Sequence, residues 1–346
     1  MTRNPEKVSV LAGGSEYTEW ERVAVSYAIK SATRTFQLNG TERPGQFRFP
    51  PGTPIQILAN GTLVLDGYVN KYSPSGEADD HVVTISGRSR SQDFVDCAAV
   101  HDTGFFENKS PDQIAQELDL FGVGVTAEVP LEKIPYFQIY QGESAWKAID
   151  RSLRTQAATQ MGKADGSIAI TNASVAQMHG GALVEGWNIL RFQGDITDDR
   201  RFSEYTVKGQ GRLGHGDEAL RPFGLAIDAI VGRYRPKILI NEGDTDKKRA
   251  TSRASHEKNR AAGLSVSAQI MTQGWRDEGG KVWETNHLIF VHSPILLKLV
   301  QPMLIESVTL TQDAGQQGSL ADLSLVDPRA YEGSGGGGGG SDAAWG

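Results

Sequence analysis

Between Gly67 and Cys97 the chain reads as a strand, a polar turn, a returning strand and a charged segment that fits no catalytic pattern. Gly67-Tyr68-Val69 lies in the first strand, Ser73 to Asp80 forms a hairpin-like loop, and Val82-Val83-Thr84-Ile85-Ser86 is the second strand. β-Branched residues bounded by small polar ones favour a pleated, half-buried backbone. The segment that follows, Gly87-Arg88-Ser89-Arg90-Ser91-Gln92-Asp93-Phe94-Val95-Asp96-Cys97, interleaves arginines and acids with small hydroxyl residues. No nucleophile, metal set or phosphate loop is built in this way. The stretch points away from an enzyme and toward a building block with a fixed place in an assembly.

The same β character surrounds it. Val23, Val25 and Tyr27 alternate with small or polar residues, as a strand with one buried face requires. Pro50-Pro51-Gly52 turns the chain into Ile55 and Ile57, and Asn60-Gly61 supplies the positive-φ residues of a tight hairpin. Residues 1–98 therefore read as a compact β barrel. Helices enter next: Ser110-Pro111-Asp112-Gln113 is a capping box with proline at the first helical position, and Trp146, Ile149 and Leu153 recur at helical spacing after Ser144. Residues 99–185 are thus a middle α+β region. β patterns return over 186–331, interrupted by a polar, lysine- and arginine-rich helix around 244–262. Residues 332–346 are a glycine-rich tail ending in Trp345, a composition that cannot bury a core of its own. The fold class is mainly β with α+β insertions.

Composition narrows function by exclusion. A chain of 346 residues with 38% apolar content can bury more than one core. A net charge of −7 gives no basic footprint for nucleic acid, and an acidic surface suits a protein that DNA passes without adhering. The single cysteine, Cys97, forms no internal disulfide and reads as a buried apolar residue beside Phe94 and Val95. Pro294 to Ile305, the most apolar window, is too short and contains Lys298 and Pro302, so no membrane anchor is expected.

Motifs that resemble chemistry fail in detail. Gly209-Gln210-Gly211-Arg212-Leu213-Gly214 matches the dinucleotide fingerprint, but Pro222 leaves no room for the helix that must meet the pyrophosphate. His256-Glu257-Lys258-Asn259-Arg260 starts like a zinc-protease helix and places a cation where the second histidine belongs. Asp79-Asp80-His81 sits in a turn, where such residues are common for conformational reasons. Gly142-Glu143-Ser144-Ala145-Trp146 lacks the closing glycine of a nucleophile elbow. No catalytic residue, cofactor or metal is assigned. Glu143, Asp165 and Asp195 have ordinary explanations as helix-start or turn residues.

Two features bear on assembly. Pro54 to Gly87 and Leu288 to Asp327 share the order strand, strand, polar glycine-containing loop, strand. Any two hairpins resemble each other, so chance and duplication of one barrel both stand at this point. Arg88, Arg90, Asp93 and Asp96 form either an ion-pair network at a subunit contact or a solvated loop, with the contact favoured.

The ordered series Gly13-Gly14, Trp20-Glu21-Arg22-Val23, Phe36-Gln37-Leu38, Gly67-Tyr68-Val69, Gly87 through Cys97, Gly186-Trp187-Asn188-Ile189-Leu190, Arg233-Tyr234-Arg235-Pro236 and Trp283-Glu284-Thr285-Asn286 resembles the baseplate hub family of Mu-like contractile-tailed phages. The hub half of the type VI secretion spike VgrG is similar in design. The resemblance implies a structural protein with two similar β-barrel domains per chain, and a homotrimer forming a pseudo-hexameric ring. That ring would join six-fold tail tube proteins to a three-fold central spike protein in the virion baseplate, assembled in the host bacterial cytoplasm. Tape-measure and baseplate-wedge proteins are further candidate partners. DNA would pass through without specific binding. The alternatives are a hub-like part of a tailocin or type VI-type injection machine, and a hub that also degrades cell wall or binds sugar. Trp20, Arg88, Arg90, Asp93 and Trp345 are the expected interface residues.

Overall fold

The computed structural model describes residues 6–41, 49–76, 81–154, 156–211, 220–295, 298–314 and 318–331. The N-terminal β patterns become β1 (Val8–Ala12), β2 (Ser15–Tyr17), β3 (Arg22–Ala28), β4 (Thr35–Thr41), β5 (Pro54–Ala59), β6 (Thr62–Gly76) and β7 (His81–Ser89). Val23, Val25 and Tyr27 of β3 are buried, as are Ile55 and Ile57 of β5, so the period-two reading of these strands holds. Asn60 and Gly61 take φ of 44° and 79° in the β5–β6 turn. β6 runs further than the expected loop start because its pairing with β7 continues to Gly76 opposite His81. A short helix, α1 (Gln92–Asp96), follows β7; five residues are too few to register as a period.

The middle region has its own core. It contains β8 (Phe105–Lys109), α2 (Pro111–Leu118), β9 (Val125–Ala127), β10 (Ile134–Gln138), α3 (Ala145–Leu153), β11 (Thr159–Gly162) and β12 (Ile168–Thr171). Both expected helices form, and the Ser110 N–H donates to Gln113 Oε1 at 3.1 Å at the start of α2. Ile114, Leu118, Ile149, Leu153, Ile168 and Ile170 pack with Phe94 of α1 and Phe106 of β8. Phe94 takes the inward position, and Cys97, where the chain leaves α1 in an extended conformation, is exposed. The expectation of a buried Cys97 is therefore corrected.

The remaining elements are β13 (Gln177–Val184), β14 (Ile189–Ile196), β15 (Glu204–Gln210), β16 (Phe223–Ile227), β17 (Pro236–Asp244), α4 (Lys247–Leu264), β18 (Val266–Gln273), β19 (His287–Ser293), β20 (Leu299–Asp313) and β21 (Gly318–Val326). The predicted polar helix exists as α4, capped by Asp246, whose carboxylate accepts from the Arg249 N–H at 2.7 Å. It is not wholly solvated. Ala250 and Ala254 are buried against Tyr205, Val207 and Ala226 of the small β16-β15-β17 sheet. Small residues permit this approach: a Cβ on Gly224 would lie 2.2 Å from the Ala250 carbonyl carbon.

The large sheet repeats one pattern. β3-β4-β7-β6-β5 (unit I) and β14-β18-β21-β20-β19 (unit II) are consecutive antiparallel neighbours in the same order. Their register also breaks at matching places, between Val69 and Lys71 in β6 and between Ile305 and Ser307 in β20. Five strands in the same order with a shared bulge are more than a likeness between two hairpins, so the sequence repeat corresponds to a repeated structural pattern. Among the described residues neither unit closes into a barrel of its own. The outer edge of β3 bonds to β20, which makes both units strips of one thirteen-stranded sheet, and no closed barrel forms among the described residues. A single hydrophobic core runs through both, from Val8, Val25 and Ile85 to Ile270, Val308 and Leu323.

Candidate assembly interface

The residues expected at an interface fall in different places. Arg88, on β7, grips Asp96 of α1 through both guanidinium nitrogens. Arg90 donates to the Gly122 carbonyl at 3.1 Å, and its Cβ lies where a side chain on Gly166 would need to be, 2.8 Å from that position. Asp93 is in the first turn of α1, where a carboxylate complements the helix dipole. These three residues sit together at the seam between unit I and the middle region. Trp20 is elsewhere: its Nε1–H donates to the Tyr17 carbonyl at 3.2 Å, and its ring leans on Phe49 at 6.5 Å. Trp345 and the glycine tail lie outside the described residues.

Sequence reading missed the polar seam that ties unit I to unit II. Arg34, between β3 and β4 and only 3% exposed, makes a bidentate pair with Glu284 at 3.1 and 2.6 Å. Its Nη1 also donates to the Val64 carbonyl at 3.1 Å, and its guanidinium stacks 4.1 Å over the Tyr27 ring. The Tyr27 hydroxyl donates to the Trp283 carbonyl. Burial alone would lower the Arg34 pKa, but Glu284 outweighs it and the guanidinium is held charged more firmly than usual. Burial, and then the Glu284 charge, push the Tyr27 hydroxyl well above its ordinary value. A second tie runs from Arg276 to Glu6 at 2.9 Å and to the Ala59 carbonyl at 2.6 Å. The Arg34–Glu284, Arg276–Glu6 and Arg276–Ala59 partners are 250, 270 and 217 residues apart, so no local motif announces them.

Beside Glu284 is a buried histidine. His179 Nδ1 is 2.8 Å from Asp277 Oδ2, while Nε2 accepts from the Glu284 backbone N–H at 3.1 Å. An imidazole nitrogen that accepts from an amide carries no proton, so the neutral tautomer donates from Nδ1 to the carboxylate. Burial lowers the His179 pKa further than Asp277 raises it. Burial would raise Asp277, yet the Gly180 N–H, His179 and the Lys281 N–H hold it below the usual carboxylate range. These hydrogen bonds clamp the start of β13 to the segment between β18 and β19.

What the surface offers is adhesion. β14 lies at one end of the large sheet and shows Leu190, Phe192 and Ile196 to solvent. The face of the small sheet opposite α4 exposes Phe223, Leu225, Ile227, Ile238 and Ile240. Isolated apolar residues on a surface are ordinary, whereas a contiguous set on one sheet face marks a contact site. Of the rejected motifs, Gly209 and Gln210 end β15 and His256 lies in α4; Asp79-Asp80 and Arg212 to Gly214 lie outside the described residues. Among the described residues no three His, Cys, Asp or Glu side chains are placed to hold a metal ion.

Comparison with known proteins gives a consistent series. Residues 7–89 match the N-terminal domain of the Mu phage baseplate assembly protein GpP-like family. Residues 91–172 match the second domain of the baseplate hub protein gp44-like family, and residues 246–333 the fourth domain of Mu phage baseplate assembly protein GpP. The baseplate hub protein gp44 of Escherichia phage Mu is 29% identical over 338 residues, covering 94% of this chain and 88% of that protein. The crystal structure of the 43 kDa tail protein of prophage MuSo2 from Shewanella oneidensis is similar with a TM-score of 0.84 and 28% identity, covering 94% of this chain and all of that one. A tail protein from Neisseria meningitidis MC58 shares the fold, with a TM-score of 0.79 at 19% identity over 95% of this chain and all of that one.

Proposed function

We infer that this chain is a structural baseplate hub protein of the Mu-like type, a component of a contractile phage tail. The family matches follow one another in hub order along the chain, and the Mu relative spans nearly all of it. Its role is architectural, and no catalytic step is assigned to any side chain.

Within that role we propose that three copies form a ring that adapts a six-fold tube to a three-fold spike. The observation that carries this reading is the duplicated five-strand unit. A chain with two equivalent units presents six similar positions in a trimer, while the β15–β17 and α4 insertion between β14 and β18 occurs once per chain. One side can then match six-fold tube proteins and the other a three-fold spike, with tape-measure and wedge proteins as peripheral partners. DNA traverses the ring without specific contacts, in keeping with the net charge of −7. Trp20, Arg88, Arg90, Asp93 and Trp345 remain proposed contact residues, the first four also having work within their own chain.

Light scattering on the purified protein tests the ring. A mass three times the 37.4 kDa chain, alone or with its spike, is the expected result. A monomer under both conditions overturns it.

A further inference from the structure

The joint between the two units defines a second joint that a single chain cannot make. Within the chain, β3 of unit I pairs antiparallel with β20 of unit II, placing Tyr27 opposite Val308, Ser26 opposite Thr309 and Val25 opposite Leu310. The counterpart of β3 in unit II is β14, and the counterpart of β20 in unit I is β6. Rows of cross-strand partners fix the equivalence residue by residue. In unit I a row runs Val23, Leu38, Ile85, Tyr72; in unit II the same row runs Phe192, Ile270, Leu323, Val308. Phe192 therefore stands for Val23, Ile196 for Tyr27, and Tyr72 for Val308.

We propose that β14 of one copy adds edge-to-edge to β6 of a second copy of this chain, with Ile196 opposite Tyr72, Asp195 opposite Ser73, Gly194 opposite Pro74 and Phe192 opposite Gly76. The proposal rests on the hub reading above and assigns the surface by which copies meet. Three observations support it. First, among the described residues both edges are open: β14 pairs with β18 on one side only, and beyond Val69, which bonds to Gly52 and Thr53, the β5 side of β6 carries no further strand. Such edges are templates for pairing. Second, Phe192 and Ile196 are 37% and 49% exposed, whereas their counterparts Val23 and Tyr27 are 1% and 5% exposed. The within-chain joint covers the latter pair, and the former await the same cover.

Third, the chemistry of the transferred pairs is conserved in kind. The aromatic-aliphatic pair Tyr27–Val308 becomes Ile196–Tyr72 with the roles exchanged, a favourable cross-strand combination. The Ser26 and Thr309 hydroxyls lie 3.1 Å apart across the existing joint; in the new one the Ser73 hydroxyl donates to the Asp195 carboxylate. Phe192 lies over Gly76, a bulky ring covering an edge glycine. Pro74 has no N–H to donate, so the Gly194–Pro74 pair carries one ladder hydrogen bond fewer than its counterpart Val25–Leu310. Because the two edges differ and lie on one chain, the contact is head-to-tail and propagates until it closes.

Cysteine cross-linking of the full chain tests the register. In a Cys97→Ser background, Ser73→Cys with Asp195→Cys places Cα atoms about 4.5–5.5 Å apart across the joint, within disulfide reach. Oxidation is expected to give covalently sealed trimers on a non-reducing gel. A control with Ser75→Cys and Asp195→Cys, two residues out of register, is expected to cross-link at least about tenfold less, since diagonal partners exceed the favoured span. Light scattering on the same samples separates the two levels of inference. Trimers that do not seal, or that seal equally in both registers, overturn the proposed joint and leave the hub reading intact. Monomers throughout overturn the trimeric ring as well. A Phe192→Asp, Ile196→Asp variant with unchanged circular dichroism is expected to lose the trimer; a stable trimer there also overturns the joint.

Discussion

Arg34→Met isolates the polar seam that holds unit I to unit II. Methionine keeps most of the aliphatic stem, so packing beside Tyr27 is largely retained while the charge and the donors are lost. Two hydrogen bonds to Glu284 and one to the Val64 carbonyl disappear, and Glu284 is left facing apolar surroundings. Removing one member of a buried ion pair typically costs about 3–5 kcal/mol. Glu284 keeps 28% of its side-chain exposure, so water compensates part of the loss and about 3 kcal/mol is expected. That is roughly a hundredfold in the folding equilibrium. Trp275 and Trp283, at 0% and 3% exposure in the shared core, report unfolding by fluorescence. Urea titration should show a lower midpoint with an unchanged slope. Adding Glu284→Gln removes the stranded charge and should recover a good part of the loss. If Arg34→Met costs less than about 1 kcal/mol, the pair behaves like a surface contact and the seam is not what joins the units. A second, additive loss on Glu284→Gln would equally refute the coupling.

Other perturbations give independent checks. His179 is neutral in the fold and its pKa is depressed, so the stability it contributes is present above its ordinary value of about 6.5 and is lost as the pH falls below it. Asp277 is depressed too, and its contribution declines as the pH falls through the carboxylate range. Urea midpoints should therefore drop as the pH falls from 8 to 5 through His179, and further below pH 5 through Asp277; a His179→Gln chain should lack the drop above pH 5, and a flat profile in the parent refutes the clamp. Gly87→Ala should destabilise by about 1–3 kcal/mol through overpacking, because the new Cβ would lie 2.0 Å from the Tyr68 carbonyl oxygen and 2.7 Å from the Phe36 ring. A melting temperature unchanged from the parent would contradict this. Arg88→Ala should cost under about 1 kcal/mol, since Asp96 is 49% exposed; a larger loss in denaturant titration would mean that the pair is better shielded than its exposure indicates.

Legibility in the sequence followed the range of the interactions. Strands with one buried face, such as Val23-Val25-Tyr27, and the capped helix after Ser110 declare themselves because period and cap lie within a few residues. The repeat was visible in outline, although its meaning depended on the pairing of β3 with β18's unit through β20, which no local pattern encodes. The same blindness hid Arg34 and Glu284: single charged residues about 250 positions apart carry no signature. Cys97 was misplaced because its neighbours Phe94 and Val95 suggested a buried run, while a single helical turn sends Phe94 inward and Cys97 out. α1 itself was too short to show a period. The Arg88–Asp96 segment is unusual in sequence, but its pairing within the chain depends on α1 folding back on β7, which no local pattern encodes.

In the proposed ring, the joining of β3 to β20 within one polypeptide would also change the kinetics of assembly. Half of the proposed joints form during folding, at an effective concentration set by the chain and independent of how many copies are present. Only the β14–β6 joints depend on encounter. Such a ring of six similar units would close by collecting three pieces, and so would tolerate scarcity that leaves six separate units as open arcs.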